Sequence, residues 1–220
     1  MNVGLISGTG PQGMGIALRW ALAGRDIYIG SRTKEKAENA CKELNEIIGK
    51  EKIFPLINEE MLKECEIVLL TVPYEYAIRT VQTYLDLIKE NTKIFVDVTV
   101  PMEWVKGKGM LPVRPEEGSG AQAIKKVIGE VPVVGAFKTQ SAEELMNYTR
   151  PIDEDNFVCG PLEHRETIMK LSEEIPGLRS IKCGPLREAG IIEPLVPFLI
   201  NINRRHKLPK GSGAGIKLTF

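Results

Sequence analysis

Gly8-Thr9-Gly10-Pro11-Gln12-Gly13 is the stretch of this chain whose residue types and spacing most directly imply chemistry. It follows the apolar run Val3-Gly4-Leu5-Ile6 and opens an amphipathic segment. In that setting a G-x-G-x-x-G turn is a dinucleotide fingerprint. Gly8 permits the tight turn, Gly10 lets the backbone approach a pyrophosphate, and Gly13 lets the helix pack closely on the strand. The N–H groups at the helix start are then free for the anion. A Walker A phosphate loop is excluded, because no Gly-Lys-Ser/Thr follows.

The end of the next apolar run, near Ser31, discriminates between nucleotides. An acid there would accept hydrogen bonds from the adenine ribose and repel a 2′-phosphate. The chain has Ser31-Arg32-Thr33-Lys34-Glu35-Lys36. Arg32 offers a planar fork for the phosphate, Ser31 a hydroxyl, and Lys36 a second cation one helical turn on. The expected nucleotide is NADP(H). Two further turns, Thr71-Val72-Pro73 and Thr99-Val100-Pro101, follow apolar strands at the ends where open parallel sheets bind ligands. Their prolines stiffen a floor on which a nicotinamide ring can lie, and also serve as ordinary strand terminators.

No acid–base machinery stands out, and no catalytic side chain is assigned. His164 falls among charges at a helix start, and His206 within Arg204-Arg205-His206-Lys207. That basic cluster, with Lys210, suits an anionic substrate tail or the negative end of a helix dipole. Absence of a Ser-His-Asp arrangement or nucleophile elbow argues against a hydrolase. Cys41, Cys65, Cys159 and Cys183 are widely spaced, so no zinc site is expected. They read as small hydrophobes.

These residues need a scaffold. Apolar runs at residues 3–6, 27–29, 53–57, 66–72, 93–98 and 131–137 alternate with amphipathic stretches at 13–23, 34–48, 75–88 and 122–128. That alternation describes βαβ units in a Rossmann-type doubly wound parallel sheet, an α/β fold. Residues 107–120, rich in Gly and Pro, read as a mobile loop or lid. After residue 137 the pattern changes. Short strands at 156–159 and 178–182 flank a helix at 162–174. A longer helix at 186–203 is kinked or split by Pro194 and Pro197, a glycine turn occupies 211–215, and 216–220 forms a final strand. The expected organisation is an NADP-binding domain over 1–137 and a small C-terminal domain or extension over 138–220 that completes the cleft.

The 220 residues carry 29 basic and 29 acidic side chains. Zero formal charge provides no field for nucleic acid. No apolar run approaches the ~20 residues a membrane helix needs, and the first residues lack a basic leader. A soluble cytoplasmic protein is expected.

Gly8-Thr9-Gly10 with Gly13 and Gly15, Gly30-Ser31-Arg32 with Lys36, and Leu70-Thr71-Val72-Pro73 resemble the NADP-dependent reductases of the 8-hydroxy-5-deazaflavin coenzyme, coenzyme F420. Cys183-Gly184-Pro185-Leu186, Glu193-Pro194-Leu195, Leu199-Ile200-Asn201 and Gly215-Ile216-Lys217 extend the likeness over nearly the whole chain. The resemblance implies an oxidoreductase moving a hydride between NADP(H) and the deazaflavin, and a homodimer. It implies NADP contacts from Thr9, Gly10, Pro11, Gln12, Ser31, Arg32, Lys36, Val72, Pro73 and Ala142. The chain departs from the family after the sixth strand. Lys138-Thr139-Gln140 stands where His-Thr and an apolar residue line the deazaflavin pocket, and Arg187-Glu188 replaces a small polar pair. Lys138 would complement a phosphate or carboxylate tail, or mark a different acceptor. The alternatives are an NADP reductase of another flavin-like, ferric or small carbonyl acceptor, and a non-catalytic NADP(H) sensor. An open ring-sized pocket beside Thr99, Lys138 and Gln140 separates the enzyme from the sensor.

Overall fold

A computed structural model describes residues 1–209 and 213–220. Lys210 of the basic cluster and the Gly211-Ser212 start of the expected glycine turn lie outside the described residues. Eight strands form one sheet: β1 (Val3–Ile6), β2 (Ile27–Ser31), β3 (Ile53–Ile57), β4 (Ile67–Leu70), β5 (Ile94–Asp97), β8 (Val133–Gly135), β9 (Glu154–Cys159) and β10 (Leu178–Gly184). Their spatial order is β10-β9-β8-β5-β4-β1-β2-β3. All neighbours are parallel except β8 and β9. The chain runs outward from β1 to β3, then returns to lay β4 on the other side of β1. That reversal creates a crevice beyond the carboxyl ends of β1 and β4, where doubly wound sheets bind ligands.

Strand composition follows from double burial. β1 and β4 are buried at every position, because helices cover both faces. Helix α1 (Pro11–Leu22) lies on one face with α2 (Lys34–Ile48) and α8 (Leu162–Glu173). The other face carries α3 (Asn58–Glu64), α4 (Tyr74–Thr83), α5 (Leu85–Asn91) and α6 (Gly120–Ile128). α2 buries Ala37, Ala40, Cys41 and Leu44 and keeps its charges outward, the amphipathic pattern of a surface helix. The segments before and after residue 137 share a core. Trp20 of α1 is fully buried, donates its indole N–H to Leu171 O at 2.8 Å, and meets Phe137 edge-on at 5.3 Å.

Several local expectations are corrected. The loop or lid at 107–120 contains half of an antiparallel hairpin, β6 (Met102–Val105) with β7 (Gly109–Pro112). Its turn takes Gly107 at φ 82° and Gly109 at φ 94°, which glycine adopts without strain. The helix expected at 75–88 is broken at Tyr84, whose ring turns inward so that its hydroxyl accepts a hydrogen bond from Asn58 Nδ2 at 3.0 Å. The long helix at 186–203 is split, as its prolines allowed, into a 3-10 turn at Leu186–Glu188, α9 (Ala189–Ile192) and α10 (Leu195–His206), with Pro197 lying inside α10 rather than interrupting it. Pro194 provides the division, since it cannot donate within a helix. No strand forms at 216–220. Ile216 O accepts one backbone bond from Asp155, and Leu218 N–H goes to the Asp155 side chain instead of a ladder. α3 and the short α7 (Ala142–Met146) have no counterpart in the sequence reading.

Candidate cofactor and substrate cleft

The glycine turn is built by contacts on three sides. Ser7 adopts φ 54°, and its N–H is held by Asn58 Oδ1 at 3.0 Å. Gly8 N–H reaches Gly30 O at 2.9 Å, joining the turns after β1 and at the end of β2. A Cβ on Gly13 would stand 2.6 Å from Gly8 O, so helix and turn touch backbone to backbone. At Gly10 a Cβ would meet nothing within 4 Å. That open side faces the N-terminus of α1, where Pro11 takes a first-turn position and no acidic residue stands. The turn therefore fits a pyrophosphate: open backbone, exposed helix N–H groups and no competing negative charge.

Gln12 has a second commitment. Its Nε2 donates to Phe137 O at 3.2 Å and Gln140 O at 3.1 Å, clamping the segment after β8 to α1. Arg19, also on α1, is 3% exposed and gives hydrogen bonds to Glu144 O, Leu145 O, Asn147 O and Arg150 O. It thereby closes the carboxyl end of α7, the helix that begins with Ala142.

At the end of β2, Ser31 is buried and its Oγ accepts a long bond from Thr33 N–H at 3.5 Å. Arg32 and Lys36 are exposed and make no ion pair among the described residues. Two unpaired cations stand at this corner, and Ser31 replaces the strand-end acid.

A cleft of ≈ 780 Å³ opens beside the glycine turn, within the usual range for small-molecule sites. Gly10, Pro11, Gln12, Val72, Pro73, Thr99, Lys138, Thr139, Gln140 and Ala142 all line it. Gly8, Thr9, Gly13, Ser31, Arg32 and Lys36 do not line it and lie in the glycine turn, the start of α1, the end of β2 and the start of α2. Thr71 Oγ1 donates to Ile6 O at 3.0 Å and fixes the Val72-Pro73 turn beside β1. The far walls were not anticipated. They are Tyr74, the hairpin residues Met102, Glu103 and Trp104, Val196, Leu199, Ile200 and Asn203 of α10, and Ala214 of the tail.

The floor carries a buried charged cluster. Lys138 Nζ donates to Asp97 Oδ2 at 2.6 Å and Thr99 O at 2.6 Å, and pairs with Glu193 Oε1 at 3.1 Å. An ammonium has three N–H groups, so none remains for a substrate tail. Burial alone would lower the lysine pKa, but Asp97 and Glu193 outweigh it and hold the value above the ordinary range. Thr99 N–H and Oγ1 both donate to Asp97 Oδ1, at 2.9 and 2.7 Å. Burial, then Glu193 and Asp97, push the Tyr74 phenol upward and keep it a hydrogen-bond donor in the cleft.

Behind the floor, Gln140 Nε2 donates to Asp155 O at 2.9 Å and Thr139 Oγ1 at 3.2 Å. Gln140 Oε1 and Glu154 Oε2 are both buried with no other partner. Burial, then the nearby Glu144 carboxylate, push Glu154 up to about 7, and the neighbouring Gln140 side chain opposes the shift. The tail backbone at Gly215 packs directly on this carboxyl.

Neither histidine lines the cleft. His206 is exposed at the end of α10, and His164 is half-buried in the first turn of α8. Arg204 stacks over Trp104 at 4.4 Å, so part of the basic cluster packs on the hairpin. Among the described residues, no three His, Cys, Asp or Glu side chains are grouped to hold a metal. Asp97, Lys138 and Glu193 had one visible signal in the sequence: ionisable residues at the ends of strongly apolar runs.

Residues 2–101 match the family model described as NADP oxidoreductase, coenzyme F420-dependent. The F420-dependent NADP reductase of Methanocaldococcus jannaschii is 37% identical over 100% of this chain and 98% of that protein. The F420-dependent NADP reductase of Methanothermobacter thermautotrophicus is 35% identical over 100% of this chain and 95% of its own. Among solved structures, a protein from Arthrobacter sp. FB24, provisionally assigned as an F420-dependent NADP reductase, superposes with a TM-score of 0.79. It is 18% identical and covers 96% of both chains, so it speaks for the fold. With full-length relatives above one-third identity, the chain belongs to the F420-dependent NADP reductase family.

Proposed function

We propose that the protein transfers a hydride between NADP(H) and a deazaflavin coenzyme of the F420 type. The observation that carries this reading is one continuous cleft. It is lined by Gly10, the Val72-Pro73 turn, the 138–142 segment and α10. The first part suits the pyrophosphate and nicotinamide of a dinucleotide, and the second leaves room for another ring system.

In this reading residues 1–137 bind the nucleotide and residues 138–220 complete the cleft. Gly8, Thr9, Gly10, Pro11, Gln12 and Gly13 hold the pyrophosphate, mainly through backbone. Ser31, Arg32 and Lys36 hold the 2′-phosphate. Val72, Pro73 and Ala142 bound the nicotinamide, and Thr99, Lys138, Thr139 and Gln140 underlie the second ring. When bound, NADPH would supply a hydride from its nicotinamide C4 to C5 of the deazaflavin, with one solvent proton taken up elsewhere on that ring system, so that NADPH, F420 and H⁺ would become NADP⁺ and reduced F420. The protein's contribution is alignment and exclusion of water, because both cofactors carry the chemistry. No side chain is assigned as acid or base. The resemblance to the family also carries the expectation of a homodimer, and the sequence that of a cytoplasmic protein.

The test is to mix the purified protein with NADPH and oxidised F420 and follow the visible absorbance of the deazaflavin. Enzyme-dependent bleaching, matched by NADPH consumption, supports the reading. NADPH binding without bleaching points to another acceptor or to a sensor.

A further inference from the structure

The charged cluster under the cleft joins elements that are far apart in sequence. Asp97 ends β5, Lys138 follows β8, and Glu193 stands between α9 and α10. Glu193 is 4% exposed, and its carboxylate also accepts from Gly120 N–H at 2.9 Å and Ala121 N–H at 3.3 Å. It therefore satisfies the start of α6 while gripping Lys138. Lys138 in turn holds Thr99 O, and Asp97 fixes the N–H and hydroxyl of the same threonine. One chain of contacts runs from the Thr99 floor to the first turn of α10.

Two other parts of the cleft depend on α10. Asn201 bonds the hairpin in both directions, accepting from Met110 N–H at 3.0 Å and donating to Met110 O at 2.7 Å. Asn203 Oδ1 accepts from Ala214 N–H at 2.6 Å, which holds the tail. A displacement of α10 therefore carries the hairpin and tail with it. The pyrophosphate turn is secured separately by Asn58 and Gly30. Buried ion pairs contribute little net stability over apolar replacements. Their value here lies in fixed geometry.

We propose that Glu193 is a positioning residue for the hydride transfer. Through Lys138 it sets α10, and with it the hairpin and tail, at a fixed separation from the cleft floor, which places the second ring against the nicotinamide. The proposal rests on the deazaflavin reading for its kinetic part only. A misplacement of about 1 Å at a reacting pair can reduce turnover about 100-fold.

The test compares wild type with Glu193→Gln, which keeps the shape and removes the charge. It also uses Glu193→Asp, which keeps the charge and shortens the reach, should the first variant fail to fold. Three quantities are measured: the NADPH dissociation constant by its fluorescence, steady-state constants with F420, and amide hydrogen exchange. The expected result is NADPH affinity within about twofold and turnover or deazaflavin KM worse by about tenfold or more. Exchange should rise over residues 102–112 and 195–206 but not over 8–22. Unchanged kinetics and exchange would overturn the proposal. So would equal weakening of both substrates with exchange raised throughout, the mark of a purely structural residue. If wild type does not bleach F420 at all, the deazaflavin reading fails, and the exchange pattern alone decides whether Glu193 holds α10.

Discussion

Gln12 Nε2 donates to the carbonyl of Gln140 at 3.1 Å across 128 positions of sequence. The residue inside the glycine turn thus holds the segment that forms the floor beneath the second half of the cleft. Gln12 and Arg19 attach α1 to the β8–α7–β9 region from both ends, and Trp20 attaches it to α8. The glycine turn and the Phe137–Gln140 segment that lines the cleft are consequently tied to the same helix.

Arg32 is exposed and unpaired among the described residues, at a corner where Ser31 replaces an acid. Arg32→Ala is expected to weaken NADPH by about 10- to 100-fold, the value of a charge-assisted hydrogen bond, and to leave NADH almost unchanged. Fluorescence titration with both nucleotides measures this, and equal losses would remove Arg32 from the phosphate site.

Two glycines of one turn should behave differently. A side chain at Gly10 enters empty space, whereas one at Gly13 strikes the Gly8 backbone. Gly10→Val should abolish NADPH binding with an unaltered melting temperature, and Gly13→Val should lower the melting temperature itself. Calorimetry with and without NADPH separates these outcomes. Normal NADPH affinity in Gly10→Val would make the turn incidental.

Much of the fold was legible because the physical signals were local. Val3 to Ile6, Ile53 to Ile57 and the helix Lys34–Ile48 appear where apolar runs and amphipathic spacing put them. The hairpin was not legible, since Met102–Val105 is largely exposed and the side chain that anchors its partner strand, Asn201, lies about 90 residues away in sequence. The split at Tyr84 depends equally on Asn58, a buried partner that no helical periodicity encodes. In the cleft, the positions near Gly10 and Val72 followed from strand–turn–helix order. The use of all three Lys138 N–H groups did not, because it needs Asp97, Thr99 and Glu193 together.

Glu154 links stability to pH. Its folded pKa is about 7 against an ordinary 4.5, so its contribution is fully present below pH 4.5 and is lost as pH rises through about 7. The gap corresponds to about 3 kcal/mol. Glu144 and Asp153 reinforce the rise, and Arg150 opposes it. Glu154→Gln, which cannot ionise, should be more stable than wild type above pH 7 and should lose that advantage near pH 4.5. Urea unfolding across this range measures the difference, and parallel curves would show that Glu154 is already ionised in the folded protein.

Trp20 is fully buried and Trp104 is half-exposed on the cleft wall. A ligand that fills the cleft should change the fluorescence of Trp104 and leave that of Trp20 unaltered. In Trp104→Phe the ligand-induced change should vanish with affinity reduced less than about tenfold, consistent with loss of a partly exposed aromatic contact. A persisting signal would mean that the ligand binds away from the hairpin.

Direct transfer between the two rings is the central claim, and an isotope tests it most closely. NADPH carrying deuterium at the transferred C4 position is incubated with oxidised F420 and the protein in ordinary water, and the reduced deazaflavin is examined by mass spectrometry and NMR. The account predicts one deuterium per turnover at C5, because the rings meet in a cleft that excludes solvent. Reduced product carrying only solvent hydrogen, or no reduced product while NADPH binds normally, would contradict it.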